Sequence, residues 1–89
     1  MAQSNVSLST TAATVLAENK ARKGYSVWND SAAAGYLLNG PDSVSQTVSA
    51  TVCSAKVVAD GYYEGPPGFT GPVTMVLASG TGTARLTEW

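Results

Sequence analysis

Histidine is absent from this 89-residue chain, and cysteine occurs once, at Cys53. The first absence removes the side chain that most often serves as general base, metal ligand or partner of a serine or cysteine nucleophile. The second excludes an intramolecular disulfide, the usual staple of a small secreted domain. Cys53 lies in the small-residue run SATVCSAKVV, with no basic pocket that would activate a thiol, and reads as a buried small hydrophobe. Charge is equally scarce. Five basic and six acidic residues make up 12% of the chain and leave a net charge of −1, about half the usual charged content. There is no basic stripe of the kind that holds nucleic acid, and Lys20, Arg22 and Lys23 beside Glu18 read as a solvated turn. The opening MAQSNVSLSTTAATVLAENKARKG has no basic segment followed by an apolar core, so neither a signal peptide nor a membrane anchor is expected there.

What is present is extended chain. TTAATVLAENKARK comes nearest to a helix, but Thr10, Thr11, Thr14 and Val15 are β-branched, so residues 13–17 read as a strand, with a short helix as the competitor. GYSVWN alternates Tyr25 and Val27 against Ser26 and Trp28 and closes on the turn formers NDS. Residues 34–39 form a strand that Gly40, Pro41 and Asp42 end, and VSQTVSATVCSAKVV holds one bent strand or two. GYYE is a short strand. PVTMVLAS sets Val73, Met75 and Leu77 on one side, and GTARLTEW sets Ala84, Leu86 and Glu88 against Arg85 and Thr87. The SGTG between these last two is expected to make a hairpin. The pattern is all-β: a small antiparallel β-sandwich or jelly roll of about 7–8 short strands, spaced at intervals of about ten residues. Residues 13–89 make the single domain. The uncharged residues 1–12 read as an N-terminal arm, either disordered or ordered only against a neighbouring subunit.

The densest signal is DGYYEGPPGFTGPV. Pro66 and Pro67 remove two successive backbone donors, and Gly65, Gly68 and Gly71 admit unusual φ values, so strand pairing must stop there. A corner between sheets is the economical reading, with Tyr62, Tyr63 and Phe69 capping the core. Neither GPPGFTG nor SGTGTA matches a phosphate loop, and the carboxylates are dispersed, Asp60 and Glu64 being too far apart on extended chain for a shared site. No enzyme, metal or cofactor is expected. The functional alternative is an aromatic platform for a sugar ring, built from Trp28, Tyr36, Tyr62, Tyr63, Phe69 and Trp89, with Asn29 and Asp30 as polar fingers.

Taken together, NKARKGYSVWNDS, ADGYYEGPPGFTGPV and ASGTGTARLTEW resemble a family of small structural proteins encoded by tailed bacteriophages. Ala21, Arg22, Lys23 and Gly24 match the family's early turn, Tyr62, Tyr63 and Glu64 its late strand, and Ala84, Arg85, Thr87 and Glu88 its closing hairpin. GPDSVSQTVSATVCSAKVV matches less well, and Pro67 before Gly68 and Phe69 departs from the usual single proline. The resemblance implies a non-enzymatic virion protein that decorates or cements the capsid surface, assembled in the host cytoplasm. Its implied partners are the major capsid protein and its own copies, commonly as a homotrimer, without nucleic acid or membrane. Attachment to a tail or fibre, or a carbohydrate-binding adhesion module displayed on the particle, is the alternative. The candidate interface residues are Val6, Leu8, Arg22, Lys23, Trp28, Tyr62, Tyr63, Phe69 and Trp89.

Overall fold

The structure, a computed structural model, describes residues 2–40 and 47–89. Among the described residues, eight strands follow one another: β1 (Ala2–Leu8), β2 (Ala13–Leu16), β3 (Tyr25–Asp30), β4 (Gly35–Asn39), β5 (Ala55–Val57), β6 (Tyr62–Glu64), β7 (Val73–Leu77) and β8 (Gly82–Glu88). Sheet A has the order β1-β8-β3-β6 and sheet B the order β2-β7-β4-β5, and every pairing is antiparallel. The nested pairs β1 with β8, β2 with β7, β3 with β6 and β4 with β5 describe one long ribbon rolled up on itself. That is the jelly roll.

Alternation places the core. Tyr25 and Val27 of β3, Leu37 of β4, Val73, Met75 and Leu77 of β7, and Ala84 and Leu86 of β8 are buried between the sheets, joined by Leu8 of β1 and Leu16 of β2. A smaller cluster lies on the other face of sheet B, where Leu38 and Val76 are covered by Val48 and Cys53 of the loop before β5. This explains why β7 is buried along its whole length.

Three expectations are corrected. SGTG is not a hairpin: β7 and β8 belong to opposite sheets, and the connection carries Gly80 at φ 68° across the end of the sandwich. Turn residues permit a reversal, but core-facing stripes on both strands decide which partners meet. The N-terminal residues do not stand apart as an arm. Ala2–Leu8 pairs along its length with β8, and Leu8 is buried in the core. Among the described residues of the long valine- and threonine-rich run, only Ala55–Val57 is strand; residues 47–54 bend instead, Ser49 Oγ accepting from the Val52 amide at 3.1 Å. Pro41 and Asp42 of the expected turn, and residues 44–46 of the expected strand, lie outside the described residues.

In the turn read as solvated, Lys20 and Lys23 are exposed as expected, but Arg22 is not. Arg22 is 3% exposed. Its Nε donates to Glu88 Oε2 at 2.8 Å, Nη1 to the carbonyls of Phe69 (3.3 Å) and Gly71 (3.0 Å), and Nη2 to that of Ala17 (2.6 Å). The guanidinium also sits 5.7 Å from the centre of the Tyr25 ring. Its fork of donors suits several acceptors at once, and it ties the β2–β3 connection and the end of β8 to the proline-glycine corner. In that corner Gly68 has φ 79°, and Gly65 lies against Tyr25 so closely that a Cβ would come within 2.0 Å of the ring. Asn29, read as a turn former, is instead fully buried. Its Nδ2 donates to the carbonyls of Ala33 and Val57, both at 2.9 Å, and its Oδ1 accepts from Ser31 Oγ at 2.7 Å.

Arg22→Ala leaves three carbonyls and the Glu88 carboxylate without their partner and is expected to cost about 3 kcal/mol in urea unfolding. A loss under about 1 kcal/mol would refute the latch. Tyr25 offers a second test. Burial holds its phenol above the ordinary tyrosine range, Tyr63 pushing the same way while Arg22 and the hydrogen bond to Asn39 oppose. The folded state therefore keeps this proton where the unfolded chain loses it. Stability from the neutral phenol is complete below about pH 10 and falls by about 1.4 kcal/mol per pH unit above it. Unfolding measured from about pH 9 to about pH 11 should show a shallower decline in Tyr25→Phe; equal slopes would contradict the assignment.

Candidate functional site

The two sheets differ on their outer faces. Sheet B is covered in part by its own loop, through Val48 and Cys53. Sheet A exposes Trp28 (43%) and Tyr62 (66%). Both stand in one cross-strand row that the register defines: Asn5 opposite Arg85, Arg85 opposite Trp28, and Trp28 opposite Tyr62. The row crosses all four strands. On one side it is flanked by Gln3, Thr87, Ser26 and Glu64, on the other by Ser7, Thr83 and Asp30.

Arg85 is the fixed point of this face. Its Nε and Nη2 reach Asp30 Oδ2 at 2.9 and 2.8 Å, Nη1 reaches Asn5 Oδ1 at 3.3 Å, and the guanidinium lies 5.8 Å from the centre of the Trp28 ring. Asp30 thus neutralises the cation while the indole and the amide hold its plane. A depression of about 910 Å³ opens over the row, lined by Gln3, Asn5, Trp28, Tyr62, Arg85 and Thr87, with Asp60 at one end. Asp60 has φ 57°, in the tight turn that leads into β6.

Of the nine expected interface residues, the structure brings only Trp28 and Tyr62 together on this face. Leu8 and Arg22 are corrections: the first is core and the second is the buried latch, so neither presents a side chain to a partner. Val6, Tyr63 and Phe69 are half-buried against the core. Lys23 is exposed at the far end, near Trp89, which is 41% exposed and whose indole is packed against Gly24. Tyr36 lies on the sheet B side, in the second cluster. Among the expected polar fingers, Asp30 reaches the outer face and Asn29 points inward. Arg85, Asn5 and Gln3 were missed as members of this face. The alternation of β8 had already put Arg85 opposite to Leu86, but only the pairing of β1 and β3 with β8 aligns it with the aromatics.

Both members of the Arg85–Asp30 pair are well exposed, so it contributes little to folding. Asp30→Ala is expected to cost less than about 1 kcal/mol in thermal or urea unfolding, with any effect confined to ligand or partner binding. A loss above about 2 kcal/mol would make the pair structural rather than functional. No family model, no curated protein and no solved structure matches the chain.

Proposed function

We propose that the chain is a non-enzymatic structural protein of a bacteriophage virion, a decoration or cement subunit that binds the major capsid protein on the shell surface. The jelly-roll order supports this reading, since the architecture recurs in capsid and lectin domains. So does the sequence resemblance carried by Ala21–Gly24, Tyr62–Glu64 and Ala84–Glu88.

The observation that carries it is the condition of the four sheet edges. Open edges invite foreign strands, and proteins block them with shortness, charge, proline or bulges. β6 has three residues, ends in Glu64 and runs into Pro66 and Pro67. β5 has three residues with Lys56 at its centre. β2 carries a register shift between Thr14 and Leu16. β1 has none of these devices: it is seven residues long, AQSNVSL, without charge, proline or bulge, and among the described residues it pairs only with β8. Such an edge accepts a strand by backbone hydrogen bonding.

With one open edge, copies of the chain cannot close into a ring by strand pairing. A homotrimer would be held by the faces of the sandwich, leaving β1 for an extended segment of the shell protein. The exposed Trp28–Tyr62 pair favours a second reading, an adhesion module for carbohydrate, which uses the outer face of sheet A rather than the backbone edge of β1.

Ser4→Lys tests the edge. Ser4 is on the core side of β1 yet exposed, and an inward-pointing charge there is the kind of device that blocks pairing. The expected result is at least an approximately tenfold loss of co-sedimentation with expanded shells, at an unchanged urea midpoint. Undiminished attachment, or attachment to tails alone, would overturn the proposal.

A further inference from the structure

We propose that the outer face of sheet A is a binding site for a neutral saccharide, which lies across the strands along the row Asn5, Arg85, Trp28, Tyr62. This deepens the carbohydrate reading and is independent of how the β1 edge is used. The row has the dimensions of a ligand site. Neighbouring strands are about 4.8 Å apart, so four of them span roughly 15 Å, the length of a short oligosaccharide, and the depression of about 910 Å³ above them falls within the usual range of small-molecule sites.

The composition of the face selects the ligand class. A pyranose presents an apolar face of C–H groups and a rim of hydroxyls. It asks for exposed aromatic rings with planar, bidentate hydrogen-bonding groups at their edges. Trp28 and Tyr62 are such rings, side by side at one register position. Asn5, Gln3, Asp30 and Arg85 are such groups, and Thr87 and Ser26 add hydroxyls. Asn5 accepts from Arg85 through Oδ1, and among the described residues no hydrogen bond uses its Nδ2, which is left to donate to a ligand. The guanidinium is held in advance by Asp30, Asn5 and the indole, so ordering it adds little to the cost of binding.

Charge argues for a neutral ligand. Arg85 is the one cation on this face and is already paired with Asp30, while Asp60 and Glu64 add two further negative groups. Phosphate, sulfate, sialic acid and nucleic acid would all meet net negative potential. A protein partner fits less well, because the rows beside the aromatics hold hydroxyls and amides and no aliphatic side chain to complete a dry interface core.

The test uses the intact chain carrying Trp89→Phe, so that Trp28 is the sole tryptophan, on an array of neutral and acidic oligosaccharides and in fluorescence titrations with the glycans that bind. The expected result is binding of at least one neutral oligosaccharide with a quench or shift of Trp28 emission. Affinity should weaken at least about tenfold in Tyr62→Ala and in Asn5→Ala, and Trp28→Ala should abolish the array signal while retaining its circular dichroism spectrum. Binding of acidic glycans alone, signals unchanged in Trp28→Ala, or no signal from any neutral glycan would each overturn the proposal. So would loss of shell co-sedimentation in Trp28→Ala, which would assign this face to a protein.

Discussion

The guanidinium of Arg22 is the constraint on which this fold most depends. A jelly roll joins strands that are distant in sequence, and its ends must be closed by loops that have no ladder of their own. Here one buried cation collects the carbonyls of Ala17, Phe69 and Gly71 and the carboxylate of Glu88. It draws the early turn, the proline-glycine corner and the last strand to a single point over the Tyr25 ring. The chain has no disulfide, and this polar knot does at one end of the sandwich what a staple does in small secreted domains. Asn29 performs the same service at the other end of β3, holding the β3–β4 and β5–β6 connections through the carbonyls of Ala33, Val57 and Val58.

With both ends of β3 tied down, the outward side chains between them are held in place. Trp28 stands at mid-strand, one register step from Arg85 on one side and from Tyr62 on the other. The face is aromatic; its one cation is neutralised by Asp30, and Asp60 and Glu64 leave it net negative. The adjoining β1 edge is uncharged and unblocked. Sheet B has part of its outer surface covered by the chain itself and both of its edges obstructed. On the proposed reading, this asymmetry leaves interaction to sheet A and internal support to sheet B.

Much of the architecture is legible in the sequence, because period-two alternation and turn residues act locally. Tyr25 and Val27 against Trp28, Ala84 and Leu86 against Arg85, and the strand at Val73–Leu77 all follow from the pattern, as does the all-β class. What is not legible is long-range. The SGTG turn reads the same whether it closes a hairpin or arches between sheets. Arg22 looks solvated because its acceptors at Phe69 and Gly71 are nearly fifty residues away in the chain. Asn29 has the composition of a turn residue, and only burial distinguishes a polar hub from a turn. Trp28 and Tyr62 are recognisable as aromatics, but their adjacency depends on β3 pairing with β6, and Asn5 joins them only because the N-terminal segment became a strand. Its want of charge is common to a free arm and to an unblocked edge, and only Val6 and Leu8 at alternate positions mark it as a strand.

In the proposed role, β1 is an edge that another protein completes. An image of the decorated shell at a resolution that separates strands tests this directly. Sheet A is expected to continue beyond Ala2–Leu8 into a strand contributed by the shell protein, antiparallel or parallel to β1. A bound subunit whose β1 edge faces solvent, with contact made through sheet B, would contradict it.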